Sequence, residues 1–113
     1  MDLETLQADA MRVHALYDEL NHRERGRTWT REEFVLGFMG DLGDLAKLVL
    51  AAEGARGDIE GGREALGHEL ADCLWSVLVL AKLYDIDLAS EFDRLTTGLT
   101  ERIGNQLQAP GRR

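Results

Sequence analysis

The chain reads as an all-α protein, a four-helix-bundle-like fold in one domain. Three observations carry this reading. Apolar residues recur at 3-4 spacing in successive stretches, the pattern of helices with one buried seam. Cap and stop residues punctuate the chain between those stretches. The single proline, Pro110, lies near the C-terminus and leaves the interior free for long helices. With 113 residues, 44% of them apolar, the composition fits one folded domain.

Residues 2–25 form the first predicted helix, with Leu3, Leu6, Ala10, Val13, Tyr17 and Leu20 as its seam and Gly26 as its stop. His14 and His22 lie off that seam and read as solvated or locally hydrogen-bonded. Thr30 followed by Glu33 spells a capping box, which starts a second helix at Arg31. That helix is expected to run to Glu53, with Gly54 ending it. Trp29, just before the cap, fits two roles: packing on the helix start, or stacking on a nucleobase. Gly37, Gly40 and Gly43 lie inside the helix, each costing about 1 kcal/mol relative to alanine. Such a cost implies a close helix approach or room for a ligand.

Residues 54–62, GARGDIEGG, read as a mobile loop and a candidate lid. A third helix is expected over Arg63–Tyr84. Beyond Asp72 it is apolar almost all the way round, which in so small a chain predicts cover from another subunit. Asp87 caps a fourth helix with Leu88, Phe92, Leu95, Leu99 and Ile103 as its seam and Gly104 as its end. The domain is thus 1–104, and 105–113 is expected to be a flexible tail.

Four acids stand where packed helices are normally apolar. Asp41 and Asp44 form one i, i+3 pair and Glu69 and Asp72 another, so each pair shares a helix face. At about 100° per residue, Asp41 falls on the line of Phe34, Phe38, Leu45 and Ala52, with Asp44 about 60° further round. Glu69 falls beside Cys73, Ser76 and Leu80, and Asp72 beside Ser76, Val79 and Leu83. An ionised carboxylate among apolar side chains must be paired, hydrogen-bonded or metal-bound. Thirteen lysines and arginines serve the whole chain, most at positions that read as exposed. Four convergent acids with few cations nearby point to a divalent metal, Mg²⁺, which prefers oxygen ligands and keeps several waters. Lys47, one turn beyond Asp44, is in reach of that acid or of a phosphate.

A net charge of −8 argues against a nucleic-acid polymer or an anionic membrane as partner, though not against a nucleotide arriving with its own Mg²⁺. The lone cysteine, Cys73, reads as a buried thiol. No leader-like N-terminal segment and no apolar run near twenty residues occur, so the expected location is cytoplasmic.

The segments GDLGDLAKLVLAAEG, HELADCLWSVLVLAKLYDIDL and the ERI of the closing helix resemble the MazG-like, all-α nucleoside triphosphate pyrophosphohydrolases over about residues 28–103. The family's EExxE…ExxD arrangement matches Asp41 and Asp44 at its last two Glu positions and Glu69 and Asp72 at ExxD. The resemblance implies a helical fold assembled as a dimer or dimer of dimers, with Mg²⁺ (or Mn²⁺ in its place) held by Asp41, Asp44, Glu69 and Asp72. It implies cleavage of an NTP or dNTP to the monophosphate and pyrophosphate. Glu69 and Asp72 are the expected catalytic pair, and Lys47, Arg102 and Trp29 the expected substrate contacts. Gly40 replaces the family's first Glu, both acids of the second helix are one methylene short, and Leu95 and Leu99 stand about where a basic and an amide residue are expected. Those departures keep two alternatives open: a nucleotide-binding relative with weakened catalysis, and a non-enzymatic helical oligomerisation module.

Overall fold

Each helix of the protein begins or ends on a local signal written in its own sequence. The structure, a computed structural model, describes residues 1–54 and 62–111, and these contain four helices and no strand. They are α1 (Leu3–Arg25), α2 (Arg31–Ala52), α3 (Gly62–Leu83) and α4 (Leu88–Gln108). The expected lid loop falls largely on residues 55–61, which lie outside the described residues. No helix among those described is long and apolar enough to cross a membrane.

The Asp2 carboxylate accepts from the Thr5 N–H at 2.8 Å and opens α1. Gly26 closes it in the left-handed region, φ 75°, a conformation that favours a residue without Cβ. Thr30 and Glu33 cap each other reciprocally at the start of α2. Trp29 and Phe34 flank that box, their rings 6.4 Å apart, as the hydrophobic staple that fixes the entry angle of the chain. Asp87 accepts from the Ser90 N–H and starts α4. The expected end at Gly104 is corrected: the helix continues to Gln108. Glycine weakens a helix without breaking it, whereas Pro110 forces Ala109 out of the helical region, to ψ 148°. Residues 105–108 are therefore helical rather than part of a loose tail.

The Glu33 carboxyl is held well down, at about 2, first by the Arg27 guanidinium, whose two nitrogens donate to it at 2.6 and 3.0 Å, and then by the Thr30 N–H. Because the folded value lies below the unfolded one, the stabilisation is present above the ordinary carboxylate range and is lost as pH falls through it. Between about pH 5 and about pH 2 the melting temperature of the parent is therefore expected to fall more steeply than that of Glu33→Gln. The effect is modest, since the pair is exposed.

α3 packs against both α1 and α2. The core is Ala10, Phe34, Leu78 and Val79, the last with no exposed surface. Two polar ties cross between α1 and α3: Gln7 Nε2 donates to the Leu78 carbonyl, and Trp75 Nε1 to the Ala10 carbonyl, both at 3.1 Å. His14 is not solvated; its side chain is 12% exposed, set 3.6 Å from Asp18 and edge-on to Phe34.

The cover that α3 lacks is smaller than its sequence predicts. Ser76, Leu78, Val79 and Ala81 are buried by the chain's own helices, leaving Leu70 and Leu74 as a half-exposed strip. The larger uncovered apolar surface belongs to α4 and to the outer face of α2, which carries Leu36, Met39 and Leu50. Leu88 packs on the core, but α4 buries no residue at all. The Cα radius of gyration, 18.6 Å, exceeds the roughly 13 Å of a compact chain near this size.

Within the described chain no helix closely approaches the interior glycines of α2. A Cβ built at Gly37, Gly40 or Gly43 meets nothing within 4 Å. Gly37 lines the cleft described next.

Candidate metal centre and adjoining cleft

The α2 stripe of Phe34, Phe38, Asp41 and Leu45 is buried or half-buried and turns towards α3. Phe34 meets Trp75 at 5.4 Å, while Asp41 lies near Glu69, so α2 and α3 run antiparallel along this line. The first two turns of the stripe thus carry rings and the next carries acids.

Asp41, Asp44 and Glu69 each offer a carboxylate oxygen within 4.8 Å of the others. His68, Glu69 and Asp72 form a second such group. The four expected ligands therefore come together as two overlapping triads that share Glu69, and Asp72 stands in the second rather than in one set of four. Glu69 Oε2 is buried and has no hydrogen-bond partner. Burial raises the Glu69 carboxyl above its ordinary value, and the charges of Asp72, Asp44 and Asp41 raise it further. Asp41 is raised in the same way, by burial and then by Asp72 and Asp44, with His68 opposing. Burial, followed by the charges of Asp41, Glu69 and Asp72, pushes the Cys73 thiol up. Asp44 is exposed, unlike its apolar-stripe neighbour Asp41.

The donor set fits Mg²⁺. Direct ligands at about 2.1 Å stand at most about 4.2 Å apart, so a group within 4.8 Å needs only a small rotamer change or one bridging water. An orphaned carboxylate oxygen in a cluster of like charges is the position a cation would satisfy. Among the described residues no lysine or arginine pairs with any of the four acids; His68 Nε2, 3.3 Å from Asp72, is the one cationic candidate in contact.

A cleft of about 520 Å³ adjoins the acids. Tyr17, Trp29, Phe34 and Trp75 wall it with rings, and Asp41, His68 and Asp72 also line it. Ring centroids lie 5.5 Å apart for Tyr17–Trp29 and 5.8 Å for Tyr17–Trp75. This volume lies within the usual range for small-molecule sites. Trp29 is thus both a staple and a cleft wall. Lys47 and Arg102 are exposed and neither lines the cleft, so the structure does not bring these two expected substrate contacts to the site. His68 is a site residue that sequence reasoning missed; its signal is the i, i+4 spacing to Asp72. Tyr17 was assigned only to the α1 seam, and nothing in its local sequence distinguishes a core ring from a cleft ring.

Comparison of the chain with family models, with curated proteins and with solved structures finds no match.

Proposed function

We propose that the protein is a Mg²⁺-dependent nucleoside triphosphate pyrophosphohydrolase of the MazG-like, all-α kind, working as a homo-oligomer. The observation that carries this reading is the gathering of Asp41, Asp44 and Glu69 carboxylates beside a ring-walled cleft, with Oε2 of Glu69 buried and unpartnered. The base and sugar lie against the ring wall of Trp29, Tyr17 and Trp75, since aromatic faces stack on any base. The acids hold the metal at the phosphate end. An ion held there would neutralise phosphate charge and acidify a water for attack on phosphorus, breaking the P–O bond that bridges the α and β phosphates and releasing pyrophosphate. Glu69, whose carboxyl burial raises, would accept the proton of the attacking water, and Asp72, 3.3 Å from His68 Nε2, would orient His68 towards a phosphate oxygen. Self-association is supported by the uncovered apolar faces of α2 and α4.

A second reading, a nucleotide binder with little turnover, is favoured by one observation: neither Lys47 nor Arg102 lines the cleft. A panel of nucleoside and deoxynucleoside triphosphates with Mg²⁺ or Mn²⁺ separates the readings. Pyrophosphate release supports the enzyme, binding without release supports the binder, and neither leaves a helical module. Restoring the missing acid is a further check. A Cβ at Gly40 meets nothing within 4 Å among the described residues, and Gly40→Glu replaces a poor helix former, so the helix is expected to gain about 0.5 kcal/mol before the new charge is counted. Metal binding, followed by titration calorimetry, is expected to tighten.

A further inference from the structure

We propose that α4 is the self-association surface and that it pairs antiparallel with α4 of a second copy across a two-fold axis near Thr97. This rests on the self-association in the proposed function and not on its chemistry. Phe92, Leu95 and Ile103 are 63%, 55% and 47% exposed, and beyond Leu88, which packs on the core, no other described part of the chain covers their seam. At about 100° per residue, Leu88, Phe92, Leu95, Leu99 and Ile103 spread about 80° around α4. The two charged residues that flank this stripe, Glu91 and Arg102, lie on the same edge of it, about 80° and 60° from its centre. The other edge carries Thr96, Thr100 and Leu107. Asp93, Arg94 and Glu101 lie on the far face, from which Arg94 pairs with Glu91 at 3.3 Å within the chain.

Antiparallel helices meet like edge to like edge. A two-fold axis near Thr97 brings Leu95 against Leu99 of the second copy, and Phe92 against its Arg102–Ile103 turn. It also sets Glu91 within about one residue, roughly 1.5 Å, of the level of Arg102 of the second copy, and the symmetry makes this pair twice. A parallel pair puts the charged edge against the threonine edge and forms neither contact. The three-helix body is attached at the N-terminal end of α4, a helix of 21 residues and about 31 Å. Antiparallel pairing therefore sets the two bodies at opposite ends, where a parallel pair crowds them together.

The test is charge exchange, read by sedimentation and by mixing two differently tagged full-length chains. Glu91→Lys alone and Arg102→Glu alone each set two like-charged contacts in the antiparallel pair, and each is expected to weaken self-association about tenfold. Mixed, the two variants are expected to form the heterodimer in excess over the statistical half, with affinity back at the parent's. Leu95→Asp is expected to give a folded monomer. A parent that is monomeric at micromolar concentration overturns the inference together with the self-association beneath it. A dimer whose charge variants mix statistically overturns the α4 geometry alone and leaves the outer face of α2 as the contact.

Discussion

Glu69→Gln is expected to hydrolyse nucleotide at least about 10²-fold more slowly than the parent and yet to melt at a higher temperature when metal is removed. Both outcomes come from one atom. Oε2 of Glu69 is buried without a partner, and three other carboxylates surround the group. Without a cation, ionising Glu69 sets another negative charge among like charges in a partly dry place. The amide keeps the shape and removes that charge. The same charge is what would hold a divalent ion, so its loss removes an electrostatic contact that preorganises the phosphate end, a change worth about 10²-fold or more. Magnesium should reverse the order of stabilities, because a ligand that binds only the folded form adds stability in proportion to its saturation. The pH dependence has a definite sign. The folded carboxyls of Glu69 and Asp41 are raised, so the metal-free parent loses stability as pH rises from the ordinary carboxylate range through the raised values. Glu69→Gln should show a flatter profile. Calorimetry in chelator and in Mg²⁺, beside a pyrophosphate-release assay, measures all of this; a variant as fast as the parent removes Glu69 from the mechanism.

What was legible in the sequence was local. Thr30 with Glu33, Asp87 and Gly26 act within a few residues of themselves, so three helix boundaries could be read without knowing what packs on what. Asp41 and Glu69 were legible because a charge on an apolar stripe conflicts with its surroundings, and such a conflict is visible in the helical period. Tertiary placement was not. The ring wall joins Tyr17 on α1, Phe34 on α2 and Trp75 on α3, and no periodicity links positions so far apart. Lys47 follows Asp44 by less than one turn, yet it is exposed and lines no part of the cleft. The seam of α4 is visible in the helical period, but a seam says only that a face wants cover, not that the cover lies in the same chain; Phe92, Leu95 and Ile103 are exposed. Gly104 stopped the expected helix too early, because glycine acts as a stop only where the chain also turns left-handed, as it does at Gly26.

Phe34→Ala is expected to cost about 3–5 kcal/mol, a large part of the roughly 5–15 kcal/mol that holds a domain of this kind together. Phe34 is 5% exposed and stands where three constraints meet. It closes the staple with Trp29, meets the His14 ring nearly at right angles at 5.7 Å, and lies 5.4 Å from the Trp75 ring. Truncation leaves a void between α2 and α3, and the three rings cannot collapse into it freely. Trp75 is tied to the Ala10 carbonyl, and Trp29 is held by the chain entering the Thr30 cap. The position is also a wall of the cleft, so the variant should lose ligand affinity even where enough of it remains folded to be assayed. Phe34→Leu keeps most of the volume without the ring. It is expected to cost less than about 2 kcal/mol, as volume-conserving core changes usually do, while still removing the aromatic face. Urea denaturation of the parent and the two variants gives the stabilities, and nucleotide binding by Phe34→Leu separates the two roles. Normal binding by a stable Phe34→Leu chain would mean that this ring supports the core and that Trp29, Tyr17 and Trp75 alone meet the base. Loss of binding with stability nearly intact would place Phe34 itself against the ligand.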